Sequence, residues 1–163
     1  MVNQRVLRHL LIPHWHARRP FTPAVLQRIE KAIQQSERSH RGEIRFALEA
    51  ALPPSLLKIT TRKRAEQVFG ELGVWDTEEN SGVLIYVQLV ERAIEIVADR
   101  GIARLVPQAE WDALCRAMEK QFRDGNHLQG SLDAIAAITA ILKRHFPARA
   151  ANPNELPDAP AVL

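Results

Sequence analysis

The fold is decided by the stretch WDTEENSGVLIYVQLVERAIEIVADRGI, residues 75–102. At its centre, Val83-Leu84-Ile85-Tyr86-Val87 is an unbroken apolar run of strand length and largely β-branched composition, which predicts a central strand covered on both faces. Ala93 to Ala98 predicts another strand. The link between them, about Gln88 to Arg92, is of hairpin length, so the two strands are expected to be antiparallel neighbours. A hairpin brings its open ends together. Asp76, Glu78, Glu79, Asn80, Ser81 and Gly82 at the entry are therefore expected beside Asp99, Arg100 and Gly101 at the exit.

Working outward, Ile44, Phe46 and Leu48 alternate with Glu43, Arg45 and Glu49, the period-two pattern of a strand with one buried face and one wet face. Pro53 and Pro54 close it. Before it, Thr22 as N-cap and Pro23 at the first helical position open a helix that carries Val25, Leu26, Ile29 and Ile33 on one side. After it, Ala65, Val68, Phe69 and Leu72 mark a second helix that Gly73 ends, with Arg62, Lys63 and Arg64 on its exposed side. A whole helix between the first and second strands favours a parallel pair with a right-handed crossover. Two more helices follow. Pro107 begins one, with Trp111, Leu114, Cys115, Met118 and Phe122 facing the core, and Gly125 stops it; Leu128 to Phe146 forms the other, before Pro147. The expected class is α/β, a mixed central sheet with a βαβ crossover and a β-hairpin, and helices packed on it.

The chain of 163 residues is 46% apolar and 25% charged, the balance of an ordinary globular domain able to bury its own core. Three parts are expected: an amphipathic basic arm over residues 1–21, an α/β domain over 22–146, and a Pro-rich extended tail over 147–163. A single cysteine, Cys115, excludes an internal disulfide and a Cys-pair zinc site, and on its apolar helical face it reads as a core thiol. No apolar run of about 18 residues or secretory leader is present, so a cytoplasmic location is expected, with a peripheral place at the inner membrane if the arm docks there.

That arm holds Arg5, Arg8, Arg18 and Arg19 and no acid. Near an anionic surface each basic residue contributes about 1 kcal/mol, so residues 1–20 make an anionic membrane surface one expected partner; Leu7, Leu10, Leu11 and Trp15 could equally dock on the domain itself. His9, His14 and His16 read as surface histidines, because no third ligand stands at helical spacing. Nucleic acid is not expected as a partner, since basic residues interleaved with aromatics are lacking.

At the hairpin's open end, carboxylates and an amide carbonyl are the ligand types that calcium or magnesium requires. Asp76, Glu79, Asn80 and Asp99 are the candidate metal ligands, and Asp76, Asp99 and Arg100 the candidate catalytic residues of a divalent-metal-dependent, phosphatase-like hydrolase with Arg100 against the phosphate. The same residue types also serve plain turn chemistry. The other reading is a non-catalytic interaction module, since no complete nucleophile or acid–base constellation is present.

Several segments carry a family resemblance. Asn80-Ser81-Gly82-Val83-Leu84-Ile85, Arg92-Ala93-Ile94-Glu95-Ile96 and Phe122-Arg123-Asp124-Gly125-Asn126 followed by Gly130 resemble, in order and spacing, motifs of the TPM domain, over about residues 22 to 146. Val74-Trp75-Asp76-Thr77-Glu78 and Asn154-Glu155-Leu156-Pro157-Asp158 resemble a proteobacterial subgroup without signal peptide or membrane anchor. The resemblance implies a TPM-like fold, acid phosphatase activity, calcium binding at a sheet edge, and partners among LemA-like or other membrane and envelope proteins. Ala98-Asp99-Arg100-Gly101-Ile102 departs from the family's Gly-Tyr-Gly-Leu-Glu and places a positive charge where a cation would sit.

Overall fold

The computed structural model describes residues 4–163; Met1–Asn3, the first residues of the expected arm, lie outside the described residues. The elements run α1 (Gln4–Leu11), α2 (His14–Arg18), α3 (Pro23–Glu37), β1 (Glu43–Glu49), α4 (Thr61–Glu71), β2 (Gly82–Gln88), β3 (Ala93–Ala98), α5 (Arg100–Ala103), α6 (Gln108–Arg123), α7 (His127–His145) and β4 (Ala161–Val162). The four strands form one mixed sheet in the order β3-β2-β1-β4. β1 lies parallel to β2 from Glu43 beside Gly82 to Glu49 beside Gln88. β2 and β3 are the antiparallel hairpin, with Val83 opposite Ala98 and Gln88 opposite Ala93.

The local signals act as expected at most helix ends. Thr22 accepts a hydrogen bond from the Val25 amide, Pro23 opens α3, and Gly73 and Gly125 take the positive φ that ends α4 and α6. Helices α3, α6 and α7 contribute Ile29, Ile33, Trp111, Met118, Ile138 and Leu142 to a core on one sheet face, against Ile44, Phe46, Leu48, Val83, Ile85 and Ile96. A smaller core on the other face joins Ala47, Leu84, Tyr86 and Val97 to Ala65 and Val68 of α4 and to Leu156 of the tail. No described helix is long and apolar enough to cross a membrane.

The expectation of a wet face on β1 is corrected: every residue from Glu43 to Glu49 is buried. α4 and the tail cover that face, and each charged side chain is met by specific partners. The Glu43 carboxylate accepts the amides of Glu155 and Leu156, both at 3.2 Å. Arg45 donates to the carbonyls of Pro157 and Ala159. Glu49 receives both arms of Arg64, at 2.9 and 2.8 Å, and the Tyr86 hydroxyl at 2.6 Å. Arg64 is therefore a buried ion-pair partner rather than a member of a solvated basic face. The last residues of the tail add the strand β4 beside Ala47 and Leu48. Trp75, before the open end of the hairpin, is 56% exposed.

Pro13 divides the arm into α1 and α2 as its missing N–H predicts. The arm's docking is the reverse of the apolar one considered from sequence. His9 is buried, receives the Leu52 amide on Nδ1 at 2.9 Å and contacts Glu91 through Nε2 at 2.9 Å, so it is no surface histidine. Arg5 donates to Glu91 and to the carbonyls of Leu57 and Ile59. Leu7, Leu10, Leu11 and Trp15 remain exposed.

Candidate functional site

The open end of the hairpin is assembled by backbone contacts before any side chain acts. The Asp99 amide donates to Gly82 O at 2.8 Å, and the Gly101 amide to Asn80 O at 2.9 Å. Asn80 holds φ +51°, a left-handed conformation that asparagine tolerates better than most residues. At Gly101 the two loops approach so closely that a Cβ would stand 2.2 Å from Glu79 O and 2.4 Å from Asn80 O. Only glycine fits there.

The structure brings together part of the expected set. Asp99 caps the single-turn helix α5: its Oδ1 accepts the Arg100 amide at 2.7 Å, while Oδ2 is buried without a partner among the described residues. The Arg100 Nε donates to Asn80 Oδ1 at 3.3 Å. Glu79 turns away to Arg41, which donates Nε at 2.6 Å and Nη2 at 3.0 Å. Those bonds hold the Glu79 carboxyl below its usual range and push the Arg41 guanidinium up. Arg41 is itself fixed by the Pro147 carbonyl and by the Phe146 ring. Asp76 is exposed in the turn after α4, where its amide bonds Gly73 O at 2.9 Å.

As placed, these residues do not fit a calcium ion. Calcium takes about six to eight oxygens. Here Glu79 is committed to Arg41, Asn80 to Arg100 and one oxygen of Asp99 to a helix cap, which leaves Asp99 Oδ2 as the buried side-chain oxygen still unengaged. No group of three or more His, Cys, Asp or Glu side chains able to hold a metal occurs among the described residues.

Sequence reasoning missed Arg41, which stands in a loop before Gly42 with no motif to mark it. It also missed the contact between the two segments expected to mark a subgroup: the Glu78 amide donates to Glu155 Oε2 at 2.8 Å, fastening the tail beside the open end. Cys115 behaves as expected of a core thiol, since it packs half-buried against the larger core and burial pushes its pKa up to about 12.

A parallel crossover followed by a hairpin, with helices on both faces, defines a small mixed α/β domain of the TPM type. The TPM domain profile matches residues 19–141, and the chain belongs to the TPM domain family. Among solved structures, the BA42 protein from the psychrophilic bacterium Bizionia argentinensis is similar, with 32% identity, a TM-score of 0.78, and coverage of 87% of this chain and 94% of that one. The N-terminal domain of a P. gingivalis protein shares the fold at 19% identity and a TM-score of 0.61, over 79% of this chain and 82% of that one. None of the curated proteins compared matches the sequence.

Proposed function

We propose that the protein is a non-catalytic interaction module that docks on an anionic membrane surface through α1 and α2. The observation that carries this reading is the orientation of the arm. Its polar side, Arg5 and His9, is pinned to Glu91 and the loop at Leu52 to Ile59. Its apolar side chains Leu7, Leu10, Leu11 and Trp15 are held outward, 47%, 66%, 67% and 72% exposed. Exposed apolar side chains gathered on one helical arm mark an interaction surface more often than chance. Charge favours an anionic partner, because Arg8 and Arg19 have no ion-pair partner among the described residues and the arm carries no acid. Two such arginines contribute about 2 kcal/mol near an anionic surface, and each inserted apolar side chain adds to that.

Co-sedimentation with phosphatidylglycerol-containing vesicles tests the reading. The full chain is expected to pellet at low salt and to release at high salt, and Leu10→Ser with Leu11→Ser to weaken binding at least tenfold without loss of folding. Full-length protein that stays in the supernatant at millimolar lipid overturns lipid docking and leaves the arm to a protein partner, such as a LemA-like membrane protein.

A further inference from the structure

At the closed end of the hairpin, opposite the candidate site, the β2–β3 turn, α2 and the α6–α7 junction enclose a cavity of about 450 Å³. That volume is within the range of small-molecule sites. Its walls are mostly aliphatic, with Ile12 and Ala17 from the arm, Val87, Leu89 and Ile94 from the hairpin, and the Phe122 ring from α6. The polar groups that face it are mainly committed elsewhere. Gln88 donates to Ala50 O and accepts the Glu91 amide, and Glu119 accepts the Ile94 amide. The His127 ring bonds Gly125 O and lies tilted against Phe122; His16 packs edge-on to Trp15.

Two charges remain. Arg92 and Arg123 line the cavity, both residues are exposed, and neither makes a side-chain hydrogen bond or ion pair among the described residues. Arg92 sits at φ +55°, a conformation in which a bulky side chain costs stability relative to glycine. With two arginines that are unpaired among the described residues set against one carboxylate, the border of this aliphatic cavity carries a net positive charge and is complementary to an aliphatic chain ending in an anion. We propose that this cavity binds a free medium-chain carboxylate, with its chain against Val87, Leu89, Ile94 and Phe122 and its head between Arg92 and Arg123. This inference stands apart from the membrane reading, which uses the outward side of the arm.

The test is an amide chemical-shift titration of the full chain with decanoate below its micelle concentration, with decanol and acetate as parallel arms. Decanoate is expected to bind saturably and to shift Ala17, Leu89, Ile94 and Phe122. Decanol, without the anion, and acetate, without the chain, are each expected to bind at least tenfold more weakly. Arg92→Gly is expected to weaken decanoate about tenfold while the melting temperature holds or rises, because glycine adopts positive φ freely. Ala17→Trp, which fills the cavity, should abolish binding. The proposal is overturned if decanol matches decanoate, if Arg92→Gly keeps the parent affinity, or if the Leu10→Ser, Leu11→Ser protein loses decanoate binding. The last result would place the ligand on the arm's outer face.

Discussion

Glu37→Gln is expected to stabilise the protein at neutral pH and to have almost no effect near pH 4. Glu37 lies at the end of α3, 8% exposed, with one oxygen accepting the Ile44 amide at 2.9 Å. Burial first, and then the neighbouring charge of Glu43, push its carboxyl from an ordinary 4.5 up to about 9; Asp158 of the tail acts in the same direction. Since the folded value is the higher one, the contribution to stability is complete below pH 4.5 and is lost as the pH rises through about 9. Between pH 4.5 and pH 7 the unfolded chain gains about 1.36 kcal/mol per pH unit from ionising this group, or about 3.4 kcal/mol in all. Gln keeps the acceptor for Ile44 and has no charge to desolvate. Glu37 borders an open cleft lined by Asn152 and Pro153 of the tail, where water lowers the cost of its charge, so the expected gain at pH 7 is about 2 kcal/mol, with about 3.4 kcal/mol as a ceiling. Urea unfolding of parent and variant at pH 4.5, 6, 7 and 8.5 reads this directly as a shift in midpoint at constant slope. A variant advantage that is the same at every pH, or that shrinks as the pH rises, refutes the argument.

Two further outcomes follow from the buried charges. Tyr86→Phe removes one donor to a charged acceptor and should cost about 1.5–3 kcal/mol, whereas Glu49→Gln leaves Arg64 buried with only the partly exposed Glu71 as ionic partner and should cost about 3–5 kcal/mol; urea unfolding that finds the reverse order contradicts the assigned network. At the open end, a divalent cation must compete with Arg41 for Glu79. With Glu79 held by Arg41 and Asn80 by Arg100, the parent protein is expected to show no saturable calcium binding at micromolar concentrations in a calorimetric titration; saturable binding that is lost on Glu79→Gln contradicts that arrangement.

The central hairpin was legible because both of its signals are local: an apolar run of strand length and a turn of hairpin length. The parallel crossover was legible for a similar reason, since a helix pattern stood between two strand patterns. The alternation Glu43, Arg45, Glu49 was also read correctly as a strand, but alternation states only that two faces differ. Whether the polar face meets water depends on Leu156, Pro157 and Ala159, more than a hundred residues away, whose carbonyls, amides and apolar contact stand in for solvent. Arg64 was misplaced by the same limit, because a run of basic residues on a helix carries no information about which of them meets Glu49.

The candidate site was legible as a neighbourhood and illegible as chemistry. Hairpin geometry does bring Asn80, Asp99 and Arg100 to one place, but the commitment of each polar atom is set by Arg41, by the cap of α5 and by the glycine contact at residue 101. Donors already engaged in holding loops together are costly to recruit, because each released partner must find another acceptor. The closed end shows the opposite balance. There Gln88 is satisfied and Glu119 holds the Ile94 amide, while Arg92 and Arg123 are unpaired among the described residues beside an aliphatic cavity. Fold maintenance uses the first set of charges and leaves the second free. Charge therefore favours an anionic head at the turn of the hairpin, although the acidic residues expected to form a site stand at its open end.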